Sequence, residues 1–141
     1  MATTSIVRSL EAGQVFPRSE EIFLAASAIV VGDALALDYD AATDAEIALY
    51  VLPLDSADAS AIDFVGVALS AGAAGDKIRV CIAGICEAKV STSTAKGDHL
   101  VAGSTGGELA VFAGTETTAP LAVAVEADTA GVATIRVFRT F

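Results

Sequence analysis

The sequence has no tryptophan, one histidine and two cysteines among its 141 residues. A cleft that stacks sugar rings needs aromatic side chains, and a zinc site needs four ligands at recognisable spacing. The only histidine, His99, follows a Gly-Asp pair in a predicted turn and has no nucleophile motif beside it. We therefore expect an exposed turn residue and not a catalytic base. The sequence predicts a non-enzymatic protein with no catalytic residue, no cofactor and no metal site.

Basic residues are also scarce. Eight Lys and Arg stand against 18 Asp and Glu, which gives a net charge of −10. Because binding to phosphates requires clustered Lys and Arg, nucleic acid is not an expected partner. No basic residue lies between Glu20 and Asp76. This acidic stretch is either a solvated face that keeps an apolar protein soluble or a face that meets a basic surface on a neighbour.

Long hydrophobic runs are missing as well. The longest, residues 22–31, spans about ten residues, whereas a membrane-spanning helix needs about 20. The first residues lack the basic segment followed by an apolar one that marks a signal peptide. We therefore expect no membrane partner and synthesis in a cytoplasm. The apolar fraction is nonetheless 54% with a mean hydropathy of +0.64, so we expect a homo-oligomer that buries apolar surface between its subunits.

Residues 1–31 are predicted to form an extended N-terminal arm. Gly13 and Pro17 interrupt any helix in most of this segment, although a short helix over residues 19–28 is compatible with Ser19 as its cap. Scattered apolar residues in a segment with little regular structure are typical of an arm that becomes ordered on a partner surface. The apolar anchors of this arm are predicted to be Ile6, Val7, Leu10, Val15, Phe16 and Phe23.

From residue 32 onward, short apolar segments alternate with turns rich in Gly, Asp and Ser. This pattern predicts an all-β fold, either a small β-barrel or a sandwich. The pattern also repeats, with a Gly-Asp pair before each copy, so we predict a β-domain over residues 32–141 made of two similar β-units, about 32–90 and 97–141. The two copies are Val65-Gly66-Val67-Ala68-Leu69 with Ile78-Arg79-Val80, and Leu121-Ala122-Val123-Ala124-Val125 with Ile135-Arg136-Val137.

Arg79 and Arg136 occupy matching positions in these predicted units. Their side chains either project from the outer face of a strand or pair with carboxylates at a subunit boundary, where the planar guanidinium is favoured. Both residues are therefore candidate interface residues.

Cys81 and Cys86 flank a predicted turn. If Ala83-Gly84 forms a two-residue hairpin turn, the two cysteines face each other across adjacent strands, near enough for a disulfide. A reducing cytoplasm favours two buried free thiols instead. The sequence leaves both alternatives open.

Two runs carry a specific order of motifs over roughly residues 30–141. The first is Phe64-Val65-Gly66-Val67-Ala68-Leu69 with a turn through Gly75-Asp76 and Ile78-Arg79-Val80; the second is Pro120-Leu121-Ala122-Val123-Ala124-Val125-Glu126 with Ile135-Arg136-Val137. This order resembles the head-decoration (capsid cement) proteins of tailed bacteriophages. The chain departs from the family pattern at Ala122, where the family has glycine, and in its first thirty residues.

The resemblance implies a β-barrel or β-tulip-like structural protein of the virion, made in the cytoplasm of a bacterial host. It would bind the outer surface of the mature capsid, with the major capsid protein and itself as partners, as a homotrimer in preference to a dimer. Deleting residues 2–18 is then expected to abolish capsid binding without unfolding the β-domain. A second hypothesis is a carbohydrate- or surface-recognition β-module of a phage fibre or bacterial surface protein, which the lack of tryptophan disfavours.

Overall fold

The structure, a computed structural model, describes residues 17–39, 49–54, 64–114, 119–129 and 131–138. The predicted all-β class is confirmed, because these residues form strands and no helix. The described residues accordingly include no helix that could cross a membrane. The strands are β1 (Arg18–Ala25), β2 (Ala34–Leu37), β3 (Tyr50–Pro53), β4 (Phe64–Ala68), β5 (Lys77–Val90), β6 (His99–Ala102), β7 (Leu109–Val111), β8 (Ala122–Ala124) and β9 (Gly131–Val137).

The strands form one continuous sheet that closes on itself twice. In the first unit, β1, β3, β2, β4 and the first part of β5 are hydrogen-bonded in that order, and β5 pairs back with β1. In the second unit, the last part of β5 is followed by β7, β6, β8 and β9, and β9 pairs back with β5. Several contacts in each ring are short: β1–β3 and β4–β5 contain two residue pairs each, β6–β8 contains two and β5–β7 contains one. Each unit is therefore a partial ring and not a continuous barrel.

β5 is a single strand of 14 residues that belongs to both units. The hairpin predicted at Ala83-Gly84 is therefore wrong. Cys81 and Ala83 pair with β1, whereas the residues from Gly84 onward pair with β9. At the changeover Gly84 has a φ of +100°, and a Cβ there would lie 2.5 Å from the carbonyl oxygen of Pro17. Glycine is required here because it alone tolerates both the left-handed backbone and the close approach of the chain before β1.

β1 lies inside the segment predicted as an arm. It pairs with β5 along its whole length and with β3 at its end, so the helix predicted over residues 19–28 is wrong. The alternation of the strand turns Phe23 and Ala25 into the core and leaves Ile22 and Leu24 on the outer side. A helix could not provide the backbone partners that β5 receives from β1. Among the described residues the sheet therefore begins at Arg18; residues 1–16 lie outside them.

The two units share their apolar interior. β2 and β4 bury both faces, because alternate residues point into two different clusters: Leu35 and Val65 into one, Ala34 and Val67 into the other. This arrangement explains why the β4 run is apolar throughout and not alternating. The first cluster is made of Phe23, Ala25, Ile29, Leu35, Val51, Val65, Ala68, Ile78 and Val80.

The units also repeat each other in their backbone hydrogen bonds. Their turns match too: the carboxylates of Asp33 and Asp98 each accept a hydrogen bond from the backbone N–H three residues earlier. Three backbone bonds of the first unit have a counterpart in the second. Gly32 N to Ala68 O matches Gly97 N to Ala124 O; Leu54 N to Ala34 O matches Phe112 N to His99 O; Leu69 N to Arg79 O matches Val125 N to Thr134 O.

The pairing register corrects the predicted match between Arg79 and Arg136. Val80 pairs with Ala68 in the first unit, and Ile135 pairs with the matching Ala124 in the second. Arg79 therefore occupies the position of Thr134 and not that of Arg136. The predicted equivalence of Arg79 and Arg136 is therefore displaced by two residues along β9. A shift of two keeps every side chain on the same face of a strand, so the apolar pattern could not reveal it.

Candidate interaction surface

The two units are joined where the turn before β2 packs against β5. The carboxylate of Asp33, 4% exposed, accepts a hydrogen bond from the Val30 N–H at 3.0 Å and pairs with the ammonium of Lys89 at 2.8 Å. The backbone N–H of Lys89 also donates to the carbonyl of Gly32. Because a buried carboxylate is costly without a partner, the Lys89 charge is what makes this close packing tolerable.

Gly107, in the turn before β7, completes this junction. Its N–H donates to the carbonyl of Leu54, and its carbonyl accepts the N–H of Ala34. Its φ is +82°, and a Cβ there would lie 2.6 Å from an oxygen of the Asp33 carboxylate. Glycine is therefore required at this position. The junction fixes the orientation of the two units and, with it, of their outer surfaces.

Large apolar side chains are exposed on both units. The outer face of β1, with Ile22 and Leu24, forms the β1 surface: Ile22 lies opposite Arg79 of β5, and the N–H of Leu24 donates to the carbonyl of Leu49. On the second unit, Val132 of β9 lies opposite Lys89. Exposed apolar side chains that lie side by side, as on the β1 surface, are typical of interaction surfaces. The large apolar residues exposed by about half are Ile22, Val30, Val31, Tyr39, Leu49 and Val132.

The predicted anchor Phe23 is a core residue and not a surface one. Its side chain is 9% exposed and packs in the first cluster, opposite Ile78 of β5. The outward alternate residues of β1, Ile22 and Leu24, occupy the surface in its place. The other predicted anchors, Ile6, Val7, Leu10, Val15 and Phe16, lie outside the described residues.

The structure does not bring the two predicted arginines together. Arg79 is on the first unit, with its guanidinium 3.7 Å from the Glu20 carboxylate. Arg136 is on the second unit, with its guanidinium 5.5 Å from the centre of the Phe138 ring. Both side chains are exposed, so each projects from an outer face, one beside an exposed carboxylate and the other over an aromatic ring.

Sequence reasoning missed Ile22 and Leu49. The signal for Ile22 was present: in the run Glu21-Ile22-Phe23-Leu24 a strand has apolar residues on both faces, so one pair must point outward. The helix interpretation hid it. Leu49 is next to β3 at the edge of an acidic stretch, and no spacing marks it as a surface residue.

Cys81 and Cys86 are both buried free thiols on β5. The Cys81 thiol donates to the carbonyl of Ala83 at 3.5 Å. Interaction with the Cys86 side chain lowers the pKa of Cys81, and the same interaction, together with burial, raises the pKa of Cys86. Neither thiol is accessible to a substrate.

The described residues contain no group of three or more His, Cys, Asp or Glu side chains that could hold a metal ion. His99 is exposed at the start of β6, as predicted. Its side chain lies at the surface on a strand end.

Comparison with known proteins gives a likeness of fold. The chain matches the head fiber gp8.5 N base of bacteriophage phi29 with a TM-score of 0.61 and 18% sequence identity, over 84% of this chain and 92% of that chain. No protein-family model matches the sequence, and no curated protein matches it. At this level of identity the likeness shows a shared fold.

Proposed function

We propose that this chain is a non-enzymatic structural protein of a bacteriophage head. It binds the outer surface of the mature capsid and stabilises the contacts between major capsid subunits. The observation that carries the proposal is the likeness of fold to the phi29 head fiber base, which extends over 92% of that chain. The order of the repeated motifs, which resembles head-decoration proteins, supports it independently.

The proposed role follows from mass action. A protein that binds only the mature lattice stabilises that lattice, and many copies add their effects. Such a protein needs a rigid body with several contact surfaces. The Asp33–Lys89 pair and the Gly107 bonds fix the two units to each other, and the exposed apolar side chains of the β1 surface supply a contact surface on that body.

The test is to measure the solution mass of the purified protein by light scattering and its co-sedimentation with expanded heads of the same phage. We expect a compact homo-oligomer, a trimer in preference to a dimer, that pellets with the heads at fixed stoichiometry. A monomer that stays in the supernatant would contradict the proposal.

The proposed role of the N-terminal segment can be tested separately. Because β1 begins at Arg18, the deletion should cover residues 2–16 so that every described strand is kept. We expect the deletion variant to lose head binding with an unchanged unfolding transition. A matched control replaces residues 2–16 by a Gly/Ser sequence of equal length, and binding by that control would show that the apolar anchors are not needed.

A second candidate function is a carbohydrate- or surface-recognition β-module of a phage fibre. The observation that favours it is that one structural neighbour is the N base of a phage head fiber. Specific binding on a glycan array, together with no co-sedimentation with heads, would establish this second function in place of the first.

A further inference from the structure

Three residues of the second unit repeat a row of side chains that the first unit buries. In the first unit, Ala34, Val67 and Cys81 lie side by side across three strands. All three are fully buried, because they belong to the cluster that the two units share. The same strand pairings in the second unit give the matching row, which we call the outer row: His99, Val123 and Arg136.

The outer row places a cation among apolar side chains at the surface. His99 and Arg136 are exposed, and Val123 is half-buried. Arg136 lies between Val123 on one side and Ile85 of β5 on the other. Its guanidinium is 5.5 Å from the centre of the Phe138 ring, which is within the range of a cation–π contact. The face of the sheet that the first unit packs inside the molecule is therefore accessible to a partner in the second unit.

No carboxylate pairs with Arg136 in the described parts of the chain. Glu87 is on the same face of the sheet, opposite Thr134, and forms no ion pair with it. Arg79 differs, because its guanidinium is 3.7 Å from the Glu20 carboxylate. A guanidinium over an aromatic ring keeps its N–H edges free, and those edges match the two oxygens of a carboxylate.

We propose that the outer row binds an acidic segment of the major capsid protein. A carboxylate of that segment accepts two hydrogen bonds from the Arg136 guanidinium, and apolar atoms beside the carboxylate cover Val123. The imidazole of His99 has an N–H donor whether it is neutral or protonated, so it offers a further hydrogen bond at the end of the row. This inference rests on the capsid binding of the proposed function and names the surface and the chemistry of its partner.

Charge selects this partner. A partner that covers the row removes the Arg136 charge from water, and this is costly unless a carboxylate accompanies it. A purely apolar or basic partner is therefore disfavoured. The phosphates of a nucleic acid are repelled by the net charge of −10 on the whole chain. Arginine and aromatic side chains are also enriched in the contact surfaces that proteins use to bind other proteins.

Co-sedimentation of two variants with expanded heads of the same phage tests this surface. Arg136→Ala should weaken head binding by about tenfold or more. Lys96→Ala is the matched control, because Lys96 is an exposed cation of the same unit that lies in a turn outside the row, and it should change binding by less than about twofold. Both variants should keep the unfolding transition of the wild-type protein. Equal binding by the two variants would overturn the proposal.

Carbodiimide cross-linking identifies the partner. This reagent joins a lysine amine to a carboxylate in direct contact, so Arg136→Lys should give an amide between position 136 and an Asp or Glu of the major capsid protein. Mass spectrometry of the digested complex detects the link, and the wild-type protein is the control for the native lysines. A link from position 136 to a second copy of this chain, or no link while the variant pellets with heads, would contradict the proposed partner.

The same measurements separate the failure of this surface from the failure of the proposed function. A wild-type protein that does not pellet with heads overturns both. A wild-type protein that pellets, together with an Arg136→Ala variant that binds as tightly, overturns the surface alone. An Arg136→Ala variant with a lower oligomer mass by light scattering and unchanged head binding assigns the row to contacts between copies and also overturns the proposal.

Discussion

The ammonium of Lys89 lies 2.8 Å from a carboxylate oxygen of Asp33, and this pair ties the strand shared by the two units to the turn before β2. Asp98 is the matching residue of the second unit. Its carboxylate accepts the N–H of Ala95 at 2.8 Å and pairs with no cation among the described residues. The chain therefore contains two equivalent turn aspartates that differ in one ion pair.

This difference predicts unequal costs for the two alanine substitutions. Asp98→Ala removes a hydrogen bond at an exposed turn and should lower the free energy of unfolding by about 1 kcal/mol. Asp33→Ala removes the same kind of bond and also leaves Lys89 without its partner, so the loss should be about 2 to 3 kcal/mol. Equilibrium denaturation in urea measures both. Equal losses would show that the ion pair adds nothing to the junction.

Lys89→Met should cost more than Asp33→Ala. The Lys89 side chain is one-third exposed, so it can hydrate its charge when Asp33 is absent. Asp33 is buried and cannot, so removing Lys89 leaves an uncompensated carboxylate in the interior. A double-mutant cycle with both substitutions isolates the pairwise energy. A Lys89→Met variant more stable than Asp33→Ala would contradict this order.

Gly107 and Gly97 allow a second comparison, although they are not equivalent positions. Both have a positive φ, +82° and +88°, but a Cβ on Gly107 meets Asp33 at 2.6 Å whereas one on Gly97 meets nothing within 4 Å. Gly97→Ala should therefore cost only backbone strain, about 1 kcal/mol. Gly107→Ala adds the clash and should lower the melting temperature further. Equal melting temperatures for the two variants would show that the turn can move away from Asp33.

The all-β class could be predicted because it depends on local chemistry. The β4 run is apolar throughout because both of its faces are buried, and the two Gly-Asp turns are marked by the side chains of Asp33 and Asp98, which cap them. Elements that depend on distant partners were not predictable. β1 is a strand because β5 supplies its hydrogen bonds, and nothing within residues 18–25 distinguishes that outcome from a short helix.

The same reasoning explains the errors at β5 and at the candidate surface. The sequence Ala83-Gly84 is typical of a hairpin turn. In the structure, however, a glycine is needed at position 84 because the chain before β1 passes too close for a side chain. The junction at Gly107 consists of backbone bonds to Leu54 and Ala34, and a backbone N–H or carbonyl leaves no trace in a sequence pattern.

Truncation of two adjacent residues of β1 should lower the free energy of unfolding to very different extents. Phe23→Ala removes a ring from the first cluster and should cost about 3 kcal/mol or more. Ile22 is 55% exposed, so Ile22→Ala should change the free energy of unfolding by less than about 0.5 kcal/mol. Denaturation of the two variants under identical conditions measures the difference. A large loss for Ile22→Ala alone would reverse the assignment of the two faces.

The thiols of Cys81 and Cys86 should react with iodoacetamide only as fast as the protein unfolds. Interaction with the Cys86 side chain lowers the pKa of Cys81, which favours its thiolate, but a thiolate without access to solvent cannot attack a reagent. Labelling of the native protein should therefore follow the global unfolding rate and become complete in denaturant. A His99→Cys variant, exposed at the start of β6, provides the control and should gain one rapidly labelled thiol under native conditions. Rapid labelling of the wild-type protein at a stability-independent rate would mean that β5 opens locally around Gly84, and the junction between the units would then be less rigid than its hydrogen bonds indicate.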